Sequence, residues 1–552
     1  MSFLQKIFKE DSLPPPEINV QTLFYLFVIV LAAFKQLHGV QQHLDIPFFD
    51  ETEYLQKGIH IPQHIFNDWG PSYNLWYFIV SKFSADAVQT FYHNYCILMV
   101  LIPALLFLFL IHYQTEKNLA LLLSLSFLMH PLLVSNFTYV SHFCLCVILL
   151  AFIIVAKSRR IETKIITAFT ASYICLYARQ EFLLITASLS LLWLLLIIYQ
   201  KKISWSKAYL VMVFFMALLY VVFGFISFKA QGIDRSLFAF KQHFYTNYVF
   251  WTKEVLTVDE FDRLDIFRGS KTMLQCLQAN PPMFFKHMGT NILNYFLGMF
   301  KYTEDFLLPP PIFHFLGKAK HILYLLFNGF LLYLIFWKRA SRNVTDFIRQ
   351  YSSTSVIILL FWGWSYFAVF FIFPERHYII LHFCWWIGLL TLLLKGHVTW
   401  LNNKLVFYPI ILLIILTTPT AKSIRYYHNM LTDRDQQPNL KTVNYLKKHN
   451  SKKPVVLFTT ERGFNAYLPK NYQELFLEQD DVRPYIQNGD IDIQQFFTDK
   501  NVGIIFMNEK LQSLVKQTLG DKGKILLNEP EKMGYRKTII DINLQAYLLI
   551  KI

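Results

Sequence analysis

Long apolar runs alternate with short polar ones over roughly the first three quarters of the chain. Two of them, "YCILMVLIPALLFLFLIHY" (95–113) and "FLLITASLSLLWLLLIIY" (182–199), contain no Asp, Glu, Lys or Arg. At about 20 residues each they are long enough to cross a bilayer core as helices, the one open-ended structure that satisfies its own backbone there. Hydropathy windows predict about eleven transmembrane helices, near 21–37, 91–112, 118–135, 138–156, 163–178, 181–199, 206–228, 321–337, 354–373, 377–394 and 404–420. After "TTPTAKSIRYYHNM" the pattern changes. The runs "PVVLFTT", "VGIIFMN", "KILLNE" and "AYLLIKI" have strand length, and "TVNYLKKH" and "EKLQSLVKQTL" between them have helical spacing. The expected fold class is therefore a polytopic α-helical membrane protein with a small C-terminal soluble α/β domain, divided as 1–424 and 425–552. A segment of that size can bury its own core.

Composition agrees with this division. Of 552 residues 54% are hydrophobic, 17% aromatic and only 16% charged, too apolar for a soluble protein of this length. The net charge of +15 changes the picture only through its location. Lys and Arg concentrate in "KSRRIETK" (157–164), "QKKISWSK" (200–207) and "WKRASRN" (337–343), short loops between apolar runs. That is the pattern of charge retained in the cytoplasm, and it excludes nucleic acid as the expected partner. The N-terminal stretch "MSFLQKIFKEDSLPPPEIN" reads as the cytoplasmic lead of an uncleaved anchor. Five of the six cysteines, Cys96, Cys144, Cys146, Cys175 and Cys384, lie in or beside apolar runs and act as small hydrophobes.

With the N-terminus inside, alternation places the loops 38–90 and 229–320, the junction "YARQEF" and the C-terminal domain on the non-cytoplasmic side. In the first loop "GPSYNLWYFIVSKF" predicts a helix along the interface, with Trp76 and Tyr77 at headgroup level. The second loop is long for a connection, and "NPPMFFKHM" and "LLPPPIF" punctuate it with prolines. No Gly-rich phosphate loop follows any expected strand of the C-terminal domain, which argues against nucleotide binding there.

The outer face carries the charges that need a reason, because ionisable groups at a membrane either face a cavity, find a partner or stay in water. "FFDETEY" sets Asp50, Glu51 and Glu53 among Phe48, Phe49 and Tyr54, and Asp68 follows in "NDWGPSY". The bland reading is a solvated loop. The chemical readings are a general base that takes a proton from a hydroxyl, or carboxylates for a divalent metal. In "YARQEF", Arg179 and Glu181 either pair within a short turn or offer a planar cationic fork to phosphate. In "FPERHY", Pro374 breaks a helix, and Glu375, Arg376, His377 and Tyr378 gather where the next begins, a place favourable to anions; outer-leaflet phosphates attract arginine equally. His130 and His142 flank a further outer turn and read first as structural histidines, while Asn136 begins a glycosylation sequon that matters only in a eukaryotic protein. Glu304 and Asp305 in "YTEDF" read as exposed loop charge.

Together "FFDETEY", "DWGPSYNLWYFIVSKF", "ARQEFLL" and "FPERHYII" resemble the integral-membrane GT-C glycosyltransferases, in particular the bacterial branch related to protein O-mannosyltransferases and the aminoarabinose lipid A transferase. The likeness covers most of residues 1–420 in topology through short motifs; His377 is inserted between Arg376 and Tyr378, and "GPSY" lacks the fuller His-Pro-Pro type of pattern. It implies transfer of a sugar from a polyprenyl-phosphate donor to a protein, lipid or glycan acceptor at the outer side of the membrane, with inversion. Asp50 matches the family's acidic residue and takes the base role with Glu51 beside it; Arg179, Arg376 and His377 would hold the donor phosphate, supported by Glu53, Tyr54, Asp68, Glu181, Glu375 and Tyr378. The resemblance implies no cofactor, and a divalent metal stays open only as the second chemical reading of the clustered carboxylates. The alternative from another class is a transporter or flippase of lipid-linked saccharides, whose mark would be internal repeats and mid-membrane charges.

Overall fold

The structure is a computed structural model. It describes residues 18–48, 50–134, 138–200, 207–227, 229–230, 233–254, 264–307, 338–372, 376–395, 398–421, 437–449, 453–459, 462–476, 485–487, 490–518, 520–540 and 546–552, with a few isolated positions between. The chain forms two compact units. One comprises Met1–His38, His64–Leu75 and Tyr95–His428; the other comprises Gly39–Gln63, Trp76–Asn94 and Asn429–Ile552.

The first unit is helical. Among the described residues, five helical stretches are long and apolar enough to cross a membrane: Val20–His43, Ala87–His112, Val140–Lys157, Gln180–Gln200 and Ser352–Phe371. Lys117–Leu128, Lys207–Phe223, Ile379–Leu394 and Lys404–Thr417 are shorter apolar helices among the described residues. The chain is thus a polytopic helical membrane protein, but the expected count of about eleven spans is not reproduced. Hydropathy windows average over many residues and do not see where a hydrogen-bonded helix stops. Ile161–Leu176 is 16 residues long and carries Glu162 and Lys164 near its start, and the expected span 321–337 lies almost wholly outside the described residues.

Burial sorts these helices. Val140–Lys157 is mostly enclosed, packing on Ile161–Leu176 and Arg376–Leu394, whereas Leu191, Leu210, Val221 and Leu405 turn apolar side chains outward. An apolar exterior is what lipid tails solvate. Polar groups inside find partners: Tyr25 donates to Asn118 Oδ1 at 2.6 Å, and Gln36 Nε2 to the Leu128 carbonyl at 3.0 Å. Fully buried Lys164 donates to Thr354 Oγ1 at 3.2 Å and Ser353 Oγ at 3.4 Å.

The second outer loop builds its own core from Phe240, Phe244, Phe267 and Phe284, on the helices Arg235–Thr252 and Pro281–Leu307 and the turn between them. A buried polar network ties it to the end of Ser352–Phe371. His287 Nε2 donates to the Ile372 carbonyl at 3.0 Å, its Nδ1 accepts from Asn247 at 2.9 Å, and Asn291 donates to the Ile372 carbonyl at 3.1 Å. These bonds satisfy carbonyls that a helix end leaves without intrahelical donors.

In the second unit a five-stranded sheet is built from β1 (Val455–Thr459), β2 (Tyr472–Phe476), β3 (Val502–Met507), β4 (Tyr535–Ile539) and β5 (Tyr547–Lys551), in the order β2-β1-β3-β5-β4. β1 is parallel to β2 and β3, with Val455 opposite Tyr472; β5 runs antiparallel to β3 and β4, with Ile504 opposite Ile550. Phe458, Phe496, Phe497, Ile505, Leu511, Leu526 and Leu549 fill the core between sheet and helices. The run "KILLNE", expected as a strand, belongs to the helix Gly520–Asn528. Three consecutive apolar residues cannot distinguish a buried strand from a buried helical turn, and Leu favours the helix.

Candidate functional site

The acidic segment is not a loop. Asp50–Ile59 is a helix whose first turn carries Asp50, Glu51 and Glu53. Carboxylates are favourable there because the first backbone N–H groups of a helix point outward and carry partial positive charge. Successive residues of a helix diverge by about 100°, so the adjacent acids meet different surroundings. Asp50 is exposed, Glu53 is half-buried, and Glu51 is 2% exposed. Tyr54 packs into the core.

Glu51 is held by the interface segment. The Tyr77 hydroxyl donates to Glu51 Oε1, Asn94 Nδ2 reaches the same oxygen at 3.5 Å and the Tyr77 oxygen at 2.9 Å, and Trp76 Nε1 donates to Asn94 Oδ1 at 2.7 Å. A buried carboxylate is costly unless hydrogen bonded, and this chain of donors meets that requirement. It also gives "SYNLWYF" a function no periodicity reveals: the expected helix forms as Pro71–Ser81, and its Tyr77 anchors an acid 26 residues earlier.

The other flank of the acidic helix meets the C-terminal domain. Arg462 Nη2 lies 3.1 Å from Glu53 Oε1, Phe464 packs its ring on Phe48 at 4.3 Å, and the Tyr467 hydroxyl donates to the Pro47 carbonyl at 3.2 Å. Burial pushes the Tyr467 hydroxyl well above its ordinary pKa, with the charges of Glu51, Tyr92 and Asp45 adding to the effect. Upstream, Asp45 caps the helix Pro438–Lys448, accepting from the N–H groups of Leu440 at 2.9 Å and Asn439 at 3.1 Å. Lys447 pairs with Asp86 at 2.7 Å; burial works against that carboxyl's charge, but the lysine and the Gln89 and Val88 N–H groups hold its pKa below the ordinary value.

In the first unit, Arg179 and Glu181 pair within their own turn, Nη2 to Oε1 at 2.7 Å and Nε to Oε2 at 3.4 Å. The sequence reading missed a second arginine here. Arg235 stacks its guanidinium on the Trp69 ring at 4.0 Å, donates to the Asp68 carbonyl at 3.2 Å, and is close enough for its charge to act on Glu181. Asp68 thus contributes its backbone to this cluster, and Gln180 fastens the turn by donating to the Ser227 carbonyl at 2.6 Å. Nothing near Arg235 in sequence marks it; its neighbours come from the first loop, so only the fold assembles the group. Arg235 is thus held on an aromatic face beside the Arg179–Glu181 pair.

The helix Arg376–Leu394 is described from Arg376 on; Pro374, the expected helix break, lies outside the described residues. Glu375 and the side chains of Arg376, His377 and Tyr378 lie outside the described residues, as does Asn136. His130 and His142 are engaged by backbone: His130 by the Leu132 N–H at 3.1 Å and the Tyr302 carbonyl at 2.9 Å, His142 by the Tyr139 N–H at 3.0 Å and the Leu133 carbonyl at 3.2 Å. That is the structural role. Among the described residues no group of three His, Cys, Asp or Glu side chains is arranged to hold a metal ion.

No family model and no curated protein sequence matches the chain. Among solved structures it is similar to the apo-state crystal structure of ArnT from Cupriavidus metallidurans, at 11% identity and a TM-score of 0.37, over 97% of each chain.

Proposed function

We propose that this chain is a membrane glycosyltransferase of the GT-C kind, moving a sugar from a polyprenyl-phosphate donor to an acceptor hydroxyl on the non-cytoplasmic side. Asp50 is the general base. As the acceptor oxygen bonds to the anomeric carbon, the carbon–oxygen bond to phosphate breaks and the acceptor's proton passes to the Asp50 carboxylate. In-line displacement of this kind inverts the anomeric centre. The polyprenyl phosphate leaves with the bonding electrons, and cations such as Arg179 and Arg376 stabilise the charge it develops. Arg179 comes to that role already oriented by Glu181.

The observation that carries the reading is the division of labour on the acidic helix. Asp50 is exposed on the first turn, while Glu51 is buried and committed to Tyr77. A base must reach a substrate proton, and of these two neighbours Asp50 has the accessible side chain. The test uses purified wild-type and Asp50→Asn protein with a panel of radiolabelled polyprenyl-phosphate sugars and membrane extract. Label transferred only by the wild type supports the reading and names the donor. If neither protein consumes donor and a lipid-linked saccharide crosses proteoliposomes instead, the transport reading replaces it. Unchanged donor binding by Arg376→Ala would remove the phosphate role from that residue.

A further inference from the structure

The loop between β1 and β2 has an unusual fastening. Glu474, on β2, turns its carboxylate into three successive backbone N–H groups: Gly463 at 2.9 and 3.1 Å, Phe464 at 3.2 Å and Asn465 at 3.5 Å. Such a backbone nest is an anion site, and here the protein's own carboxylate accepts from it. The loop so fixed carries Arg462 and Gly463, which meet the acidic helix, and Phe464, which packs on Phe48. Gly463, at φ +128°, presses its backbone on the fully buried Thr52; a Cβ at that position would collide with the threonine, 2.9 Å from its Cβ. Arg462 reaches Glu53, and Phe464 stacks on Phe48 immediately before the helix.

We propose that residues 462–467 are a clamp that sets the position of the acidic helix, with Glu474 and Arg462 as positioning residues. The consequence for turnover rests on the glycosyltransferase reading; the mechanical coupling does not. The C-terminal segment then decides where the first-turn carboxylates stand. Tyr77 and Asn94 hold the helix through Glu51, and the clamp holds it through Thr52 and Glu53, two neighbouring residues on another part of the helix surface.

Hydrogen exchange on the full-length protein in detergent tests the coupling. In Glu474→Ala the loop N–H groups lose their acceptor, and exchange should accelerate by about tenfold or more at 462–467 and rise with it at 50–59, with β3 and β5 unchanged. Faster exchange in the loop with no change at 50–59 overturns the proposal. Should Glu474→Ala fail to fold, a charge reversal gives an independent answer. Arg462→Glu and Glu53→Arg should each speed exchange at 50–59 by about two- to fivefold, the size expected of a partly exposed ion pair, and the double variant should restore it. Additive singles with no restoration overturn the role of Arg462. Sugar transfer by the same proteins separates the two claims. Clamp variants should lower kcat more than they raise donor KM, and the double variant should recover kcat. Coupling in exchange with full activity in Asp50→Asn would leave the clamp standing and remove the base; activity lost in Asp50→Asn with no coupling would do the reverse.

Discussion

Asp50 and Glu51 are adjacent acids with different fates, and substitution should separate them. Asp50→Asn should lower transfer by about 10²–10⁴-fold with an unchanged thermal midpoint, measured on the same detergent-purified sample. Glu51→Ala should instead lower the midpoint, because the buried Tyr77 hydroxyl loses this acceptor, a cost of about 1–3 kcal/mol. Glu51→Gln, which keeps an acceptor oxygen, should recover most of that loss. The sequence shows that carboxylates sit among aromatics beside a membrane, and this singles out the segment. It does not show which of them is buried, since that depends on where a helix starts and on partners at Tyr77 and Arg462. Arg235 was illegible for the same reason. Its ring partner is Trp69 and its carbonyl partner is Asp68, both far away along the chain.

Elements were legible where period and length agreed. Val455–Thr459, Val502–Met507 and Tyr547–Lys551 are dense in branched or aromatic residues and form strands as expected. Tyr472–Phe476 and Tyr535–Ile539, with Gln, Glu, Arg and Lys along them, carry no such signal; neighbouring strands recruit them. The His287 network makes a prediction at this scale. Burial pushes the His287 imidazole down to about 4, and its bonds to the Phe371 and Ile372 carbonyls offset this only in part. In the unfolded chain the ring protonates near its ordinary value of about 6.5. The network's contribution to stability is therefore complete above that value and is lost as pH falls from about 6.5 towards 4. A thermal midpoint followed over this range should fall on acidification in the wild type and fall less steeply in His287→Gln, whose midpoint at neutral pH should already be lower.

For the whole molecule, the boundary between polar tail and apolar helices was plain in composition, because lipid and water select opposite surfaces. That residues 39–63 and 76–94 group with the tail was not, since it rests on contacts such as Asp45 with Leu440 and Phe48 with Phe464. A chain ending at residue 545 should keep its membrane helices and lose its C-terminal sheet, seen as rapid protease cleavage between 453 and 540 in the detergent-purified protein. The reason lies in strand order: β5 is inserted between β3 and β4, so without it both neighbours present an open edge. The same order constrains biosynthesis. At ordinary elongation rates the ribosome makes β5 roughly 25–100 s after the acidic helix; for most of that interval no strand of the sheet exists, and at its end the sheet still lacks β5. A chain that stops just short of β5 would thus enter the membrane with two strand edges bare, which would make it a substrate for membrane proteases.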